Sequence, residues 1–262
     1  MKIKFFLASL ILVFISSCSS DSASPTNEDN SPPTAYMPLA NGNYWVYDVD
    51  SQGTLSSDNL YVANDTIINT VTYKKMKTLN APTGFFSNTL RNNGVRIKAS
   101  SLVATGTFTI PFPGLTTPIQ INLNEFSFFK ETAEANTLLS TTSGTLHQTV
   151  SGYPLDIDYT LKSVAQETLA TYTSNGTTYN DVKKTRLILN LKITTTASGI
   201  TATLLSDQPV LTLNEYFAKN IGNVHTNSVF HYDINATIAA SFGIPSTITI
   251  PQEEFLSNYH LN

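Results

Sequence analysis

The side chains suited to acid–base or nucleophilic chemistry are few in this chain and lie far apart. The four histidines are His147, His225, His231 and His260. None belongs to a His-Glu-x-x-His zinc motif, and the chain has no Gly-x-Ser-x-Gly elbow, P-loop or Gly-x-Gly-x-x-Gly fingerprint. His225 and His231 could approach each other across a predicted strand pair, although a structural role is commoner for such residues. We therefore predict that the protein is not an enzyme. A hydrolase would need a cleft in which one histidine meets a Ser, Asp or Glu.

Two pairs of acidic residues come close together in the sequence. Glu253 and Glu254 are adjacent, so in a strand they point to opposite faces, which is poor geometry for a two-carboxylate catalytic site. Asp156 and Asp158 share a face, but two carboxylates fall short of the about six to eight oxygens that Ca²⁺ prefers. A single cysteine also excludes a zinc site built from cysteines. The sequence therefore predicts no metal site and no cofactor.

Cys18 is the only cysteine and the most informative residue. Lys2 and Lys4 precede a largely apolar run over residues 5–15, and two serines separate that run from Cys18. A positive start, a short apolar stretch and small residues at its end are typical of a secretory signal peptide. The run is too short to cross a bilayer, which needs about 20 residues. Two alternatives are a spectator thiol beside a plain secretory cleavage site and a membrane-spanning start, which the polar residues directly after Cys18 disfavour.

The ending Ile15-Ser16-Ser17-Cys18 resembles the lipobox of bacterial lipoproteins. The resemblance implies that the Cys18 thiol takes a diacylglycerol group, that Cys18 begins the mature chain, and that it carries three acyl chains. Two or more chains anchor a protein stably, because each buried methylene contributes about 0.8 kcal/mol. We therefore expect a lipid-anchored protein of the outer membrane, with the membrane itself as a partner. Ser19 is compatible with that location, and the periplasmic or surface face stays open.

Composition favours an acidic, folded β protein. The net charge is −4 for the whole chain and becomes −6 when residues 1–17, with their two lysines, are removed. Such a chain has no basic patch for nucleic acid. The 41% of hydrophobic and 10% of aromatic residues suffice for a packed core. Abundant Thr, Val and Ile favour strands over helices.

The chain divides into three parts. Residues 1–17 are the predicted signal peptide, and residues 18–35 are a lipidated cysteine with a tether rich in Ser and Pro. Residues 36–262 form one predicted β-rich domain. Asp21-Ser22-Ala23 in the tether and Asp65-Thr66-Ile67 in the domain resemble the Asp-Ser/Thr-apolar sites that Bacteroidota glycosylate on exported proteins. Chance occurrence is the better explanation for so short a pattern in a Ser/Thr-rich chain.

The predicted fold is all-β and mainly antiparallel, with at most one or two short helices. We expect a strongly curved sheet or open barrel, and a two-sheet sandwich is the alternative. Alternating apolar and polar residues predict most of the strands. The predicted pieces are a first strand over 43–49, hairpins 59–68/71–79, 86–91/95–101 and 169–173/178–196, a strand over 154–164, a helix within 125–136, and an apolar link over 239–250.

Two segments carry a second resemblance. The opening Pro38-Leu-x-x-Gly-Asn-x-Trp-x-Tyr47 is similar to one that follows the tether in exported lipoproteins of Bacteroidota. The later segment Tyr216-x-Ala-x-x-Ile-Gly-x-Val224 resembles one found in the same lipoproteins and in some LolA-like proteins with a curved sheet. These resemblances imply location and shape, and they assign no chemistry to any residue.

Two binding functions follow as hypotheses. The first is non-catalytic binding of a hydrophobic or lipid-like molecule on a concave sheet, with Trp45, Phe108 and Phe112 as the candidate ligand-binding residues. Trp45 is also readily explained as a core anchor of the first strand. The proline-punctuated segment 104–124 would cover the cavity mouth or touch a partner, unless it packs on its own domain. The alternative function is a surface interaction or scaffold module for an envelope protein or a glycan, which predicts a filled core.

Overall fold

The computed structural model describes residues 36–262 except residues 116, 151 and 198. The signal peptide, Cys18, the tether and Asp21-Ser22-Ala23 lie outside these described residues, so the predictions about them stay predictions. The described part of the chain contains twelve strands and two short helices. In chain order they are β1 (Tyr44–Ser51), β2 (Thr54–Ile68), β3 (Val71–Thr78), α1 (Phe85–Leu90), β4 (Gly94–Lys98), β5 (Ser101–Ile110), β6 (Ile119–Lys130), β7 (Leu138–Val150), β8 (Tyr153–Ser174), β9 (Thr177–Ala197), β10 (Ile200–Ala218), β11 (Gly222–Asp233), α2 (Ala236–Phe242) and β12 (Thr247–His260).

All twelve strands belong to one antiparallel sheet that curves into a nearly closed barrel. The order across the sheet is β6-β5-β4-β3-β2-β1-β12-β11-β10-β9-β8-β7. The first and last strands therefore pair, with Tyr44 opposite His260. Sequence neighbours β6 and β7 lie at the two ends of that order instead of pairing. The all-β prediction and the strongly curved sheet are confirmed, and the architecture is a barrel rather than a two-sheet sandwich.

The opening between β6 and β7 is bridged by a side-chain hydrogen bond from β8 to β6. The buried Ser163 hydroxyl on β8 donates to the main-chain oxygen of Ser127 on β6. Asn136 N donates to Ala165 O at 2.8 Å and Ala165 N donates to Thr137 O at 2.9 Å, which extends the pairing of β7 with β8 beyond Leu138. These polar contacts satisfy backbone groups that a continuous strand ladder would otherwise pair.

The core fills the inside of the barrel. Alternate residues of β9 from Leu187 to Ile193 are buried, as their spacing predicts. Trp45 on β1 is fully buried, and its Nε1 donates to Ile221 O at 2.6 Å. Gly222 lies beside this indole with φ of +117°, and a Cβ there would be 2.8 Å from Trp45 Nε1. The turn between β10 and β11 precedes Gly222, which begins β11.

Three local predictions are wrong. The predicted strand 86–91 is helix α1, which buries Phe86 and Leu90, four residues apart. The first half of the predicted helix within 125–136 belongs to β6, where register shifts opposite β5 bury Phe126 and Phe129 three residues apart and so imitate a helical period. The link over 239–250 contains the end of α2 and the start of β12.

The hairpin predictions around Asn69-Thr70 and Asn175-Gly176 are confirmed. Asn69, Thr70, Asn175 and Gly176 all have positive φ, which such turns require. Neither helix in the described part of the chain has the length and hydropathy needed to cross a membrane.

Candidate functional site

The three predicted ligand-binding aromatics lie inside the domain. Trp45 and Phe108 belong to the packed core and offer no open surface. Phe112 follows β5, packs on Phe230 and Tyr232, and reaches a small pocket at one end of the barrel. The structure therefore places only Phe112 beside a cavity.

That pocket, called here the end pocket, is lined only by apolar residues and has a volume of about 30 Å³. Its walls are the segment after β5, the start of β8, the end of β9, the first half of β10, and α2 with the residues on either side of it. Ile234 N donates to Ser246 O at 2.7 Å and closes the base of the excursion that carries α2. Asn235 caps the N-terminus of α2, and Gly243 ends it in the left-handed conformation. The lining residues are Phe112, Pro113, Gly114, Leu115, Leu155, Ile193, Leu204, Leu205, Ile234, Ile238, Phe242 and Ile244.

Three of the histidines are at the surface. His147 Nδ1 lies 2.8 Å from Asp156 Oδ1, and His231 Nε2 lies 3.1 Å from an oxygen of Asp233, both in exposed positions. His260 Nε2 lies 3.2 Å from Asn262 Oδ1. His231 is on β11 together with His225, so the suggested approach of these two across a strand pair does not occur.

His225 is different, because it is buried on the outer face of the barrel within a ladder of aromatic rings. The ladder consists of Tyr172, Tyr216, His225 and Phe255. Tyr172 and Tyr216 stack at 4.2 Å between ring centroids, and His225 and Phe255 stack at 4.8 Å with 6° between planes. Tyr216, His225 and Phe255 are cross-strand partners on β10, β11 and β12, whereas Tyr172 comes from the far end of β8. The end of the β8–β9 hairpin therefore lies against the outer wall and covers His225.

Both ring nitrogens of His225 have partners. Nδ1 is 2.5 Å from the Tyr172 hydroxyl, and Nε2 is 2.6 Å from Glu253 Oε2. Asn227 Nδ2 donates to the other oxygen of Glu253 at 2.5 Å. Burial opposes ionisation of Glu253, but the hydrogen bonds from His225 and Asn227 outweigh it and lower the pKa of this carboxyl.

His225 has the carboxylate partner that a hydrolase histidine would need, but it lies under the hairpin end rather than in a cleft, and the Tyr172 hydroxyl is poorly suited to be a nucleophile. Burial, followed by the neighbouring Tyr216, raises the pKa of Tyr172 well above its usual value. Activation of a nucleophile requires the opposite shift. The arrangement instead fixes the hairpin end and the ladder in place.

Beside the ladder is an open groove, called here the outer groove, with a volume of about 440 Å³. It lies on the outer face of β1 and β2, and the β8–β9 turn contributes its rim. Asp48 is opposite Phe255 in the sheet, and Asp50 is opposite Glu253, so these four side chains share one face. The lining residues are Asp48, Val49, Asp50, Leu55, Ser56, Asn175 and Phe255.

A second polar cluster lies inside the barrel and holds α1. Asp58 accepts from Thr83 N at 2.9 Å and from Gly84 N at 2.8 Å. Glu254 accepts from Phe86 N at 2.7 Å and so satisfies a donor of the first helical turn. A Cβ at Gly84 would overlap the Glu254 carboxylate, so only glycine fits this approach. Glu253 and Glu254 point to opposite faces, as predicted. Glu253 binds His225 on the outer face, and Glu254 accepts from α1 inside the barrel.

Glu215 is the other buried carboxyl of the interior. It lies opposite Thr185 and Thr226 in the sheet, and Thr185 Oγ1 donates to its Oε2 at 3.2 Å. Its Oε1 is buried without a hydrogen-bond partner. Burial, reinforced by the charge of Glu254, raises the pKa of Glu215 to about 8. Burial likewise raises the pKa of Glu254 to about 8.

Other predicted positions are at the surface. Asp65-Thr66-Ile67 lies near the C-terminal end of β2. There Asp65 Oδ1 forms a salt bridge with Lys74 Nζ at 2.5 Å, and Ile67 is exposed. Chance occurrence stays the better explanation of this three-residue pattern. Asp156 and Asp158 share a solvated face of β8. Among the described residues no group of three or more His, Cys, Asp or Glu side chains is placed to hold a metal ion.

Sequence reasoning missed Tyr172, Glu215 and Glu253 as interacting groups. An available signal was strand parity, because Glu215 falls on the buried face between Leu213 and Phe217 and is therefore a carboxyl at a core position. The contacts of Tyr172 depend on how a hairpin end folds back, which parity does not reveal.

Comparisons with known proteins identify no family. No protein-family model matches the chain. No curated protein matches its sequence. A solved structure described as a "putative lipoprotein" from Parabacteroides distasonis is similar over 88% of this chain and 100% of its own, with 13% sequence identity and a TM-score of 0.43.

Proposed function

We propose that the protein is a lipid-anchored lipoprotein of the outer membrane and that its β-domain is a non-catalytic binding module acting through its outer surface. The lipobox-like ending at Cys18 supports the anchor. The contrast between a filled interior and an open groove on the outer wall supports the binding role, and this contrast carries the proposal.

The interior leaves little room for a guest. The end pocket holds about 30 Å³, whereas a single water needs roughly 10–15 Å³ by the same measure. The outer groove, at about 440 Å³, is similar in volume to other depressions on the described surface, and it is distinguished by an exposed carboxylate beside the Phe255 ring. An occupant of the outer groove would need no rearrangement of the barrel.

The anchor is tested with a Cys18→Ser variant and a clickable fatty acid. The parent should incorporate the label and sediment with membranes, and the variant should do neither. Equal membrane association of the two proteins would refute the anchor.

The binding module is tested with mature protein in nanodiscs and an envelope extract, used both untreated and protease-treated. Asp48→Asn and Phe255→Leu should weaken retention of envelope material. Asp207→Asn removes one exposed carboxylate elsewhere and is the matched control. Retention that is unaffected by the groove variants, or absent from the parent, would contradict this function.

A second candidate function is the binding of a hydrophobic group at the end pocket, favoured by its wholly apolar lining. As it stands the pocket accepts only a small apolar group, so a lipid would require α2 to move. Native mass spectrometry of protein purified without detergent should then reveal an apolar guest that is lost with Leu204→Gln and kept with Leu138→Gln, an exposed leucine elsewhere. A guest-free parent would exclude this function.

A further inference from the structure

We propose that the outer groove binds a saccharide. This inference rests on the proposed surface-binding function and specifies the class of its ligand. It begins from the groups that the groove offers: the carboxylates of Asp48 and Asp50, the amide of Asn175, and the apolar surfaces of Leu55 and Phe255.

The polar groups are free to accept a ligand. The carboxylate of Asp48 is exposed and makes no hydrogen bond with any described residue, and the same is true of the Asn175 side-chain amide. Asp50 uses one oxygen to accept from Gly53 N at 2.7 Å in its own turn, which orients its carboxylate. Asp48 and Asp50 are two residues apart on one strand, so their Cα atoms are roughly 7 Å apart. That spacing lets both carboxylates accept hydrogen bonds from hydroxyl groups of one sugar ring.

The apolar part of the groove is rigid. The Phe255 ring is stacked on His225, which is itself held between Glu253 and Tyr172. An aromatic ring that is already immobilised loses little conformational entropy when a ligand packs on it. A pyranose presents a C–H face that packs on an aromatic ring and a rim of hydroxyls that donate to carboxylates, and the groove offers both partners side by side.

A cationic side chain of a partner protein is the competing occupant, because no Lys or Arg lines the groove. Two observations favour the saccharide. The Asn175 amide both donates and accepts, which suits hydroxyl groups and gives an ammonium group only an acceptor. Leu55 is 78% exposed at the groove and adds apolar surface to it. A sugar ring can pack on that surface, whereas an ammonium group gains little from it.

The test titrates neutral hexose and N-acetylhexosamine oligosaccharides into the mature protein in nanodiscs by calorimetry. The parent should bind at least one of them. Asp48→Asn should weaken that binding about 10- to 100-fold, because a charge-assisted hydrogen bond is lost. Phe255→Leu removes the aromatic surface from the groove and should weaken it similarly, and Asp207→Asn should bind as the parent does. Melting curves confirm that each variant is folded.

Several outcomes would overturn the saccharide. A Lys-rich peptide that binds through Asp48 and is released by salt, without any saccharide binding, would assign the groove to a cationic partner. If no saccharide binds while envelope retention still depends on Asp48 and Phe255, the ligand class is wrong and the surface-binding function stands. If retention is also independent of these residues, both proposals fail.

Discussion

Replacement of Glu215 by Gln should make the protein more stable at neutral and alkaline pH. Glu215 is fully buried, with one oxygen unpartnered and the other accepting only from Thr185. The side-chain amide of Gln keeps the size and the acceptor but cannot ionise. The substitution therefore removes the charge that the interior opposes most directly.

The size of the effect follows from the pKa. Burial raises the pKa of Glu215 from 4.5 to about 8 in the folded state. Between these values the folded state binds more protons than the unfolded state, so the free energy of unfolding falls as pH rises, by up to about 1.4 kcal/mol per pH unit for this group. The contribution is fully present below about pH 4.5 and is lost as pH passes about 8. Relative to the parent, Glu215→Gln should raise the free energy of unfolding by about 3 to 5 kcal/mol at about pH 8. At about pH 5 the two proteins should agree within about 1 kcal/mol.

The assay is urea unfolding at pH values from about 5 to about 8, followed by fluorescence. Trp45 is the only tryptophan and is fully buried, so its emission reports unfolding of the barrel directly. Glu167→Gln is the matched control, because Glu167 is exposed in its pair with Lys184. Histidine titration in the unfolded state is common to all three proteins and cancels in their differences.

Two results would refute this reasoning. One is a parent whose free energy of unfolding does not fall between about pH 5 and about pH 8. The other is a parallel fall in Glu215→Gln, which would assign the pH dependence to other groups. A residual fall of about half the slope is expected in the variant, because Glu254 also has a pKa of about 8.

Three further substitutions test separate contacts. Gly84→Ala places a methyl on the Glu254 carboxylate and should cost about 1–3 kcal/mol by urea unfolding; an unchanged midpoint would show that the carboxylate moves aside. Gly222→Ala introduces a side chain at φ of +117°, 2.8 Å from Trp45 Nε1, and should cost about 2–4 kcal/mol with a red-shifted emission; unchanged emission would contradict the contact. Tyr172→Phe keeps the ring stack but removes the hydroxyl bonded to the ladder histidine, so about 1 kcal/mol should be lost, against a larger loss for Tyr172→Ala; equal losses would mean that the stack contributes nothing.

Much of the barrel could be predicted from local patterns. Alternation of apolar and polar residues identified the inward face of β9, and turn residues tolerant of positive φ located the β2–β3 and β8–β9 hairpins. The errors occurred where a distant contact overrode the pattern. α1 is helical because Glu254 of β12, which is far from it in sequence, accepts from Phe86 N in the first turn, while Asp58 of β2 accepts from Gly84 N just before the helix.

The candidate site was largely beyond local reasoning. By sequence Phe108 and Trp45 are candidate ligand-binding residues of a concave sheet, and both lie in the packed core, where Trp45 anchors the first strand. The outer groove joins β1 and β2 to a turn more than 100 residues later. Neither segment has a sequence pattern that indicates contact with the other. Whether Phe112 binds a ligand stays a prediction.

By itself the sequence determined the class of the fold, the position of most strands and the case for an anchor at Cys18, because these depend on periodicity, turn chemistry and short contiguous motifs. Only the tertiary structure decided that Glu215 and Glu254 share the interior, that a hairpin end covers His225, and that Asp48 and Phe255 border one groove. Those relations depend on sheet order and register, which bring side chains together across the barrel regardless of their distance along the chain.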